Sequence, residues 1–176
     1  MVRRRKDLLL AMLEAAGDGR GSPWHASLLE SVEDLDVDQA RWSPAPGRPS
    51  AWAVVRHVVH WKRGVMEALD RDGLDAEVWA AADWSDLPLD DAAWHADRDE
   101  LARVTRLLAQ RLAAADEGLL DNAVHGFDAS IAETAFHVAT HDAYHAGQIR
   151  LLLRLRDALA SAADRGADRG ADRGAG

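Results

Sequence analysis

Apolar residues recur at steps of three and four along most of the chain, and alternating β-branched runs are absent, so the sequence can bury its hydrophobic surface only along helical stripes. A first stretch runs from Arg3 to Ala16 and stops at Gly17-Asp18-Gly19-Arg20-Gly21, a run too costly for a helix interior. Ser22 and Pro23 pair an N-cap residue with the first helical position, which proline tolerates, so helicity is expected to resume there with Leu28, Leu29, Val32 and Leu35 as its apolar face. A proline- and glycine-rich connection from Trp42 to Pro49 then leads into a second long rod. Its stripe is Ala51, Val54, Val55, Val58 and Val65, and it ends near Leu69.

An irregular acidic segment with Trp79 and Trp84 spans Asp70 to Pro88. Asp90 or Asp91 then caps a third rod with Leu101, Val104, Leu108 and Leu112 on its core face, ending near Ala115. A loop through Gly118, Asn122 and Gly126 precedes the fourth rod, from Ala129 to Leu159, with Ile131, Ala135, Val138, Ile149 and Leu152 facing inward. Four amphipathic rods on modest loops predict an all-α fold, an up-down four-helix bundle. Residues 1–160 are expected to form one domain. The rest, residues 161–176, contains Ala-Asp-Arg-Gly three times between Ala163 and Gly174 and is expected to be disordered.

The net charge of -9 argues against the basic surface that nucleic-acid backbones require. The single basic run, Arg3 to Lys6, lacks interleaved aromatics and is expected to be a solvated helix start. Cysteine is absent, which removes disulfides, thiolate metal ligands and a cysteine nucleophile together. The apolar run Leu8 to Leu13 is short and broken by Glu14, unlike a secretory leader, and no run approaches the ~20 apolar residues that cross a bilayer. A cytoplasmic protein without nucleic-acid or membrane partners is the expectation.

Histidines carry the chemistry. His141 and His145 stand four residues apart, so on a helix both rings share one face within reach of a single metal ion. His137 precedes them by one more step of four. Bundles build metal sites from facing helices, and the second rod supplies His57 and His60, three apart, with Trp61 following. His60 and His137 are candidates to support ligands or move protons, while His25, next to Trp24, could lie at the rim of the same pocket. His95 and His125 fit helix ends or loops. Asp142 occupies the place of the catalytic glutamate in a zinc protease, but it is one methylene shorter, and no His or Glu follows His145 to complete that ligand set. Seven tryptophans mostly suit core packing, with Trp61 and Trp24 the candidates for a pocket wall.

Three segments together carry a family resemblance: Trp42 to Arg48, Trp-Ser-Pro-Ala-Pro-Gly-Arg; residues 50–62, Ser-Ala-Trp-Ala-Val-Val-Arg-His-Val-Val-His-Trp-Lys; and residues 141–149, His-Asp-Ala-Tyr-His-Ala-Gly-Gln-Ile. Over roughly residues 5 to 155 the chain resembles the DinB/YfiT-like superfamily of metal-dependent enzymes. The resemblance implies a four-helix bundle, often dimeric, with a divalent metal held by His57, His141 and His145. His60 and His137 fall where the family pattern does not demand histidine. Relatives of this kind include transferases and isomerases that use a small cellular thiol, and many others with no established activity.

Three neutral imidazoles leave a coordination position for water or substrate, and a metal there lowers the pKa of water or thiol. Zinc and nickel suit that donor set best. The expected function is a metal-dependent transferase or hydrolase acting on a small molecule, with His60 or His137 assisting proton transfer and a cosubstrate supplying any thiol. Its rival is a non-catalytic, dimeric metal-binding or stress-response bundle, whose mark would be a fourth protein ligand closing the coordination sphere.

Overall fold

The computed structural model describes residues 4–19, 22–70, 75–84 and 90–172. Arg3, Arg20, Gly21, parts of the acidic segment including Pro88, and Gly174 of the repeat lie outside the described residues. Among the described residues the protein is all-α apart from one short antiparallel ribbon.

The first rod is α1, Arg5–Leu13, which widens into a π turn over Glu14–Asp18. Its basic start is not merely solvated. Arg5 grips Asp121 through both carboxylate oxygens, at 2.6 and 3.2 Å, and the Lys6 ammonium donates to the carbonyls of Ala113 and Ala115. A cation among orphan carbonyls at a helix C-terminus satisfies both partners. Gly17 lies inside the wide turn because a Cβ there would stand 2.7 Å from Thr105 and 3.0 Å from the Asp142 carboxylate.

The helix expected after Ser22 and Pro23 does not form. Turns occupy residues 28–34, with bonds from Ser31 to Leu28 and from Val32 to Leu29. Tertiary bonds prevail over the local start signal: the Leu28 and Leu29 amides donate to the carbonyls of Ala16 and Gly17 and tie the segment to the end of the first helix. Leu28, Val32 and Leu35 are buried all the same. A one-turn helix, α2, Val37–Arg41, follows under a reciprocal Asp36–Gln39 capping box.

The second rod is α3, Ala51–Asp70, started by Ser50, whose hydroxyl accepts from the Ala53 amide. Within the acidic segment a short helix, α4, Ala76–Ala81, is capped by Asp75. The third rod is α5, Asp91–Ala114, and Asp90 caps it as the sequence predicts. The ribbon β1, Ala123–Val124, pairs with β2, Ala129–Ser130, across a turn that uses a positive φ at Gly126 and Asp128. Ser130 and Glu133 then form a capping box for the fourth rod, α6, Ile131–Asp172. This helix runs past Leu159 as far as Asp172.

The helices α1, α6, α3 and α5 pack in a closed ring, each against the next. Near one end Trp52 and Trp94 meet edge to face with centroids 5.6 Å apart, both wholly buried. Their indoles donate to Asp97 and to the Leu35 carbonyl, so neither burial strands a donor. A second apolar cluster, around Leu9, Leu13, Leu112 and Leu120, fills the end where α1 meets α5 and α6. No described helix is long and apolar enough to cross a membrane.

Candidate metal centre

Helical spacing brings the candidate ligands together as the sequence predicts. His57 projects from α3, His141 and His145 from α6, and one ring nitrogen of each lies within 4.8 Å of the others. The Nε2 of His141 is 3.1 Å from the Nε2 of both His57 and His145.

Hydrogen bonds at the far nitrogens fix the tautomers. Asp83 Oδ2, nearly buried, accepts from His57 Nδ1 at 2.7 Å and from the Trp61 indole at 2.8 Å, so His57 Nδ1 carries the hydrogen and its Nε2 a lone pair. His145 Nδ1 donates to Gln148 Oε1 at 2.8 Å, which leaves its Nε2 a lone pair too. One hydrogen on His141 Nε2 can serve only one of those neighbours, so one close contact sets lone pair against lone pair. A further proton on His141 or His145 does not relieve it at neutral pH. Burial, then the neighbouring His145, His57 and Lys62, push His141 down to about 3, and burial with His57 holds His145 at about 4, although its bond to Gln148 pulls the other way. Three imidazole Nε2 atoms converging on one point fit a borderline divalent cation.

A pocket of about 430 Å³ opens onto this cluster. His57 and His141 form one wall, Trp61, Phe127 and Val138 others, and exposed His137 contributes the edge. Beneath it, buried Lys62 donates to Asp142 and to Thr105, each at 2.7 Å. Burial pushes the Asp142 carboxyl up while Lys62 pulls it down, and Asp142 Oδ1 has no partner. Asp142 is thus spent in the core and is not among the residues lining the pocket, which leaves the protease reading without its base.

A family model described as the DinB superfamily matches residues 24–149 of the 176, a span that holds all three histidines with Asp83 and Gln148. The chain belongs to the DinB superfamily. No curated protein and no solved structure matches it.

In this DinB protein the other residues singled out from sequence divide clearly. Trp61 stands in the pocket wall and orients Asp83, and His137 stands at the pocket edge. His60 turns the other way: its Nε2 bonds the Trp79 carbonyl at 2.8 Å, its ring stacks on the Trp79 indole, and that indole donates back to the His60 carbonyl. Gly64 makes room for the same indole, since a Cβ there would come within 2.6 Å of its nitrogen. His60 therefore fastens α4 against α3 and is not among the pocket's lining residues. Trp24 and His25 are also elsewhere. They line a shallow surface depression with Glu30 and Arg150, and Trp24 is 90% exposed.

Spacing alone does not reveal Asp83 and Trp84. Fastened by Trp79, the segment after α4 lays Asp83 on His57 Nδ1 and stacks Trp84 on the His57 ring at 4.4 Å, with the Trp84 backbone at φ 58. Gln148 did have a signal, three residues past His145 and so on the same helical face.

Proposed function

We propose that this DinB protein is a metal-dependent enzyme acting on a small molecule, a transferase or hydrolase in which His57, His141 and His145 hold a divalent transition metal such as zinc or nickel. The observation that carries this reading is the convergence of three imidazole nitrogens beside an open pocket that His57 and His141 line. A bound ion supplies Lewis acidity that lowers the pKa of a water or small-thiol nucleophile. The protein's own residues do the rest. Asp83 and Trp61 hold the His57 ring in its tautomer, Gln148 does so for His145, and Trp61, Phe127 and Val138 keep bulk water off one side of the substrate. His137, at the pocket edge and open to solvent, is placed to carry a proton between substrate and water. With no cysteine in the chain, the thiol of a transferase reaction comes with a cosubstrate.

Among the described residues no fourth His, Asp or Glu joins the cluster, which favours an open coordination position over the closed site of a non-catalytic bundle. A homodimer belongs to the same reading, supported by exposed Leu151, Leu155 and Leu159 at steps of four on α6. The test is elemental mass spectrometry on protein purified without a metal-binding tag, alongside His57→Ala, followed by a screen of thiols with electrophiles. About one transition metal per chain, lost in the variant, is expected, with turnover that slows in His137→Ala at unchanged metal content. A chain that takes up no metal after reconstitution would overturn the reading.

A further inference from the structure

Beside the metal pocket lies a second one, of about 170 Å³, partly open to solvent and lined chiefly by Leu13, Leu69, Leu108, Leu112, Ile131 and Ala135. Val65, Thr134 and Val138 belong to the walls of both spaces, so the two abut across a partition three side chains wide. Its lining is mostly apolar, and an apolar space of ~150 Å³ is enough to accept benzene.

Thr134 gives the partition a chemical signature. Its hydroxyl is buried and has no hydrogen-bond partner, although a helical threonine has its own carbonyl four residues earlier within reach. An apolar tail crossing the partition cannot bond that hydroxyl, so Thr134 is one polar atom in an otherwise apolar partition. Charge is spoken for on both sides: Lys62 is bound to Asp142 and Thr105 in the outer pocket, and Arg111, at the inner cavity, is held by both oxygens of Asp70. Nothing there asks for a charged tail.

We infer that the substrate carries an uncharged apolar tail the size of a phenyl ring or a six-carbon chain, which passes Val65, Thr134 and Val138 into the inner cavity while its reactive head lies at the three histidines. This rests on the metal-enzyme reading for the head; the tail cavity stands on its own geometry. The head then needs no large polar body, and substrate choice is made by tail length.

Calorimetric titration of the zinc-loaded protein with straight-chain hydroxamates, from acetohydroxamate to decanohydroxamate, tests the assignment. Affinity is expected to rise roughly fourfold per added methylene, as burial of each predicts, and to level off once the inner cavity is full. Ala135→Phe, which fills that cavity, is expected to abolish the gain with length and leave acetohydroxamate binding unchanged; Leu112→Phe serves the same end if helical circular dichroism shows Ala135→Phe unfolded. Butylbenzene titrated into metal-free protein probes the cavity alone and should bind the native chain but not the filled variant. Affinity independent of chain length, an unaltered series in the filled variants, or no butylbenzene binding would overturn the tail assignment. Failure to take up zinc would instead sink the metal-enzyme reading, and the butylbenzene arm would still decide the cavity.

Discussion

Asp83 accepts from both the His57 ring and the Trp61 indole, so one carboxylate decides which nitrogen of His57 faces the other two histidines. Asp83→Asn keeps the shape but offers an amide that can turn its NH₂ toward the ring and free the opposite tautomer. Metal affinity is expected to fall about 10–100-fold with the fold intact, the usual effect of losing a partner of a ligating histidine. Titration against a competing chelator measures it, and an affinity equal to the native protein's would deny Asp83 that role. The candidate pair on α6 was legible because helical spacing fixes it: His141 and His145 share a face whatever α6 packs against, whereas the choice of His57 over His60 on α3 came from the family resemblance. Neighbours in sequence are a poorer guide. His60 is one helical step from His57, yet its ring is taken up by stacking on Trp79 and bonding that residue's carbonyl, and Trp24 with His25 lies in a segment whose path is set by tertiary bonds.

At the scale of elements, long rods could be read from sequence because a twenty-residue stripe of apolar spacing has one economical solution. Short pieces could not. The turns at residues 28–34, the two-residue ribbon and the placement of α4 all answer to contacts far away in sequence. The seam between α3 and α5 shows such a contact on the surface: Arg63 and Arg103 both donate to Glu100, at 2.6–2.8 Å, and the bond from Arg103, helped by Arg63 against the cost of burial, holds the carboxyl at about 2, down from 4.5. A carboxyl depressed in the folded state contributes stability that is complete above its unfolded pKa of 4.5 and is lost as pH falls through about 2. Glu100→Gln is therefore expected to cost at most about 1 kcal/mol at pH 7, since both arginines face solvent, and to flatten the loss of stability between those two pH values. Urea unfolding followed from pH 7 to pH 2 checks both parts; parallel curves for native and variant protein would remove Glu100 from the account.

For the molecule as a whole, the seam between α3 and α6 is the one built from polar groups. It holds His57 against His141 and His145, and beside them the buried Lys62–Asp142 pair, where most other core positions are leucine, valine or alanine. A buried ion pair seldom stabilises more than apolar packing of the same volume, and a close imidazole contact left without a hydrogen stabilises less, so without metal this seam is the weak side of the ring. A cation that binds only the folded chain adds RT ln(1 + [L]/Kd), about 2.7 kcal/mol when free metal is a hundred times Kd. For a chain of this size that corresponds to a rise in Tm of roughly 5–10 °C. Metal-stripped protein is expected to show that rise when zinc is restored and to lose it again to chelator, and His141→Ala is expected to show none. An equal rise in the variant would mean that zinc stabilises some other part of the surface. A native protein whose Tm ignores zinc would mean that α3 and α6 close without it.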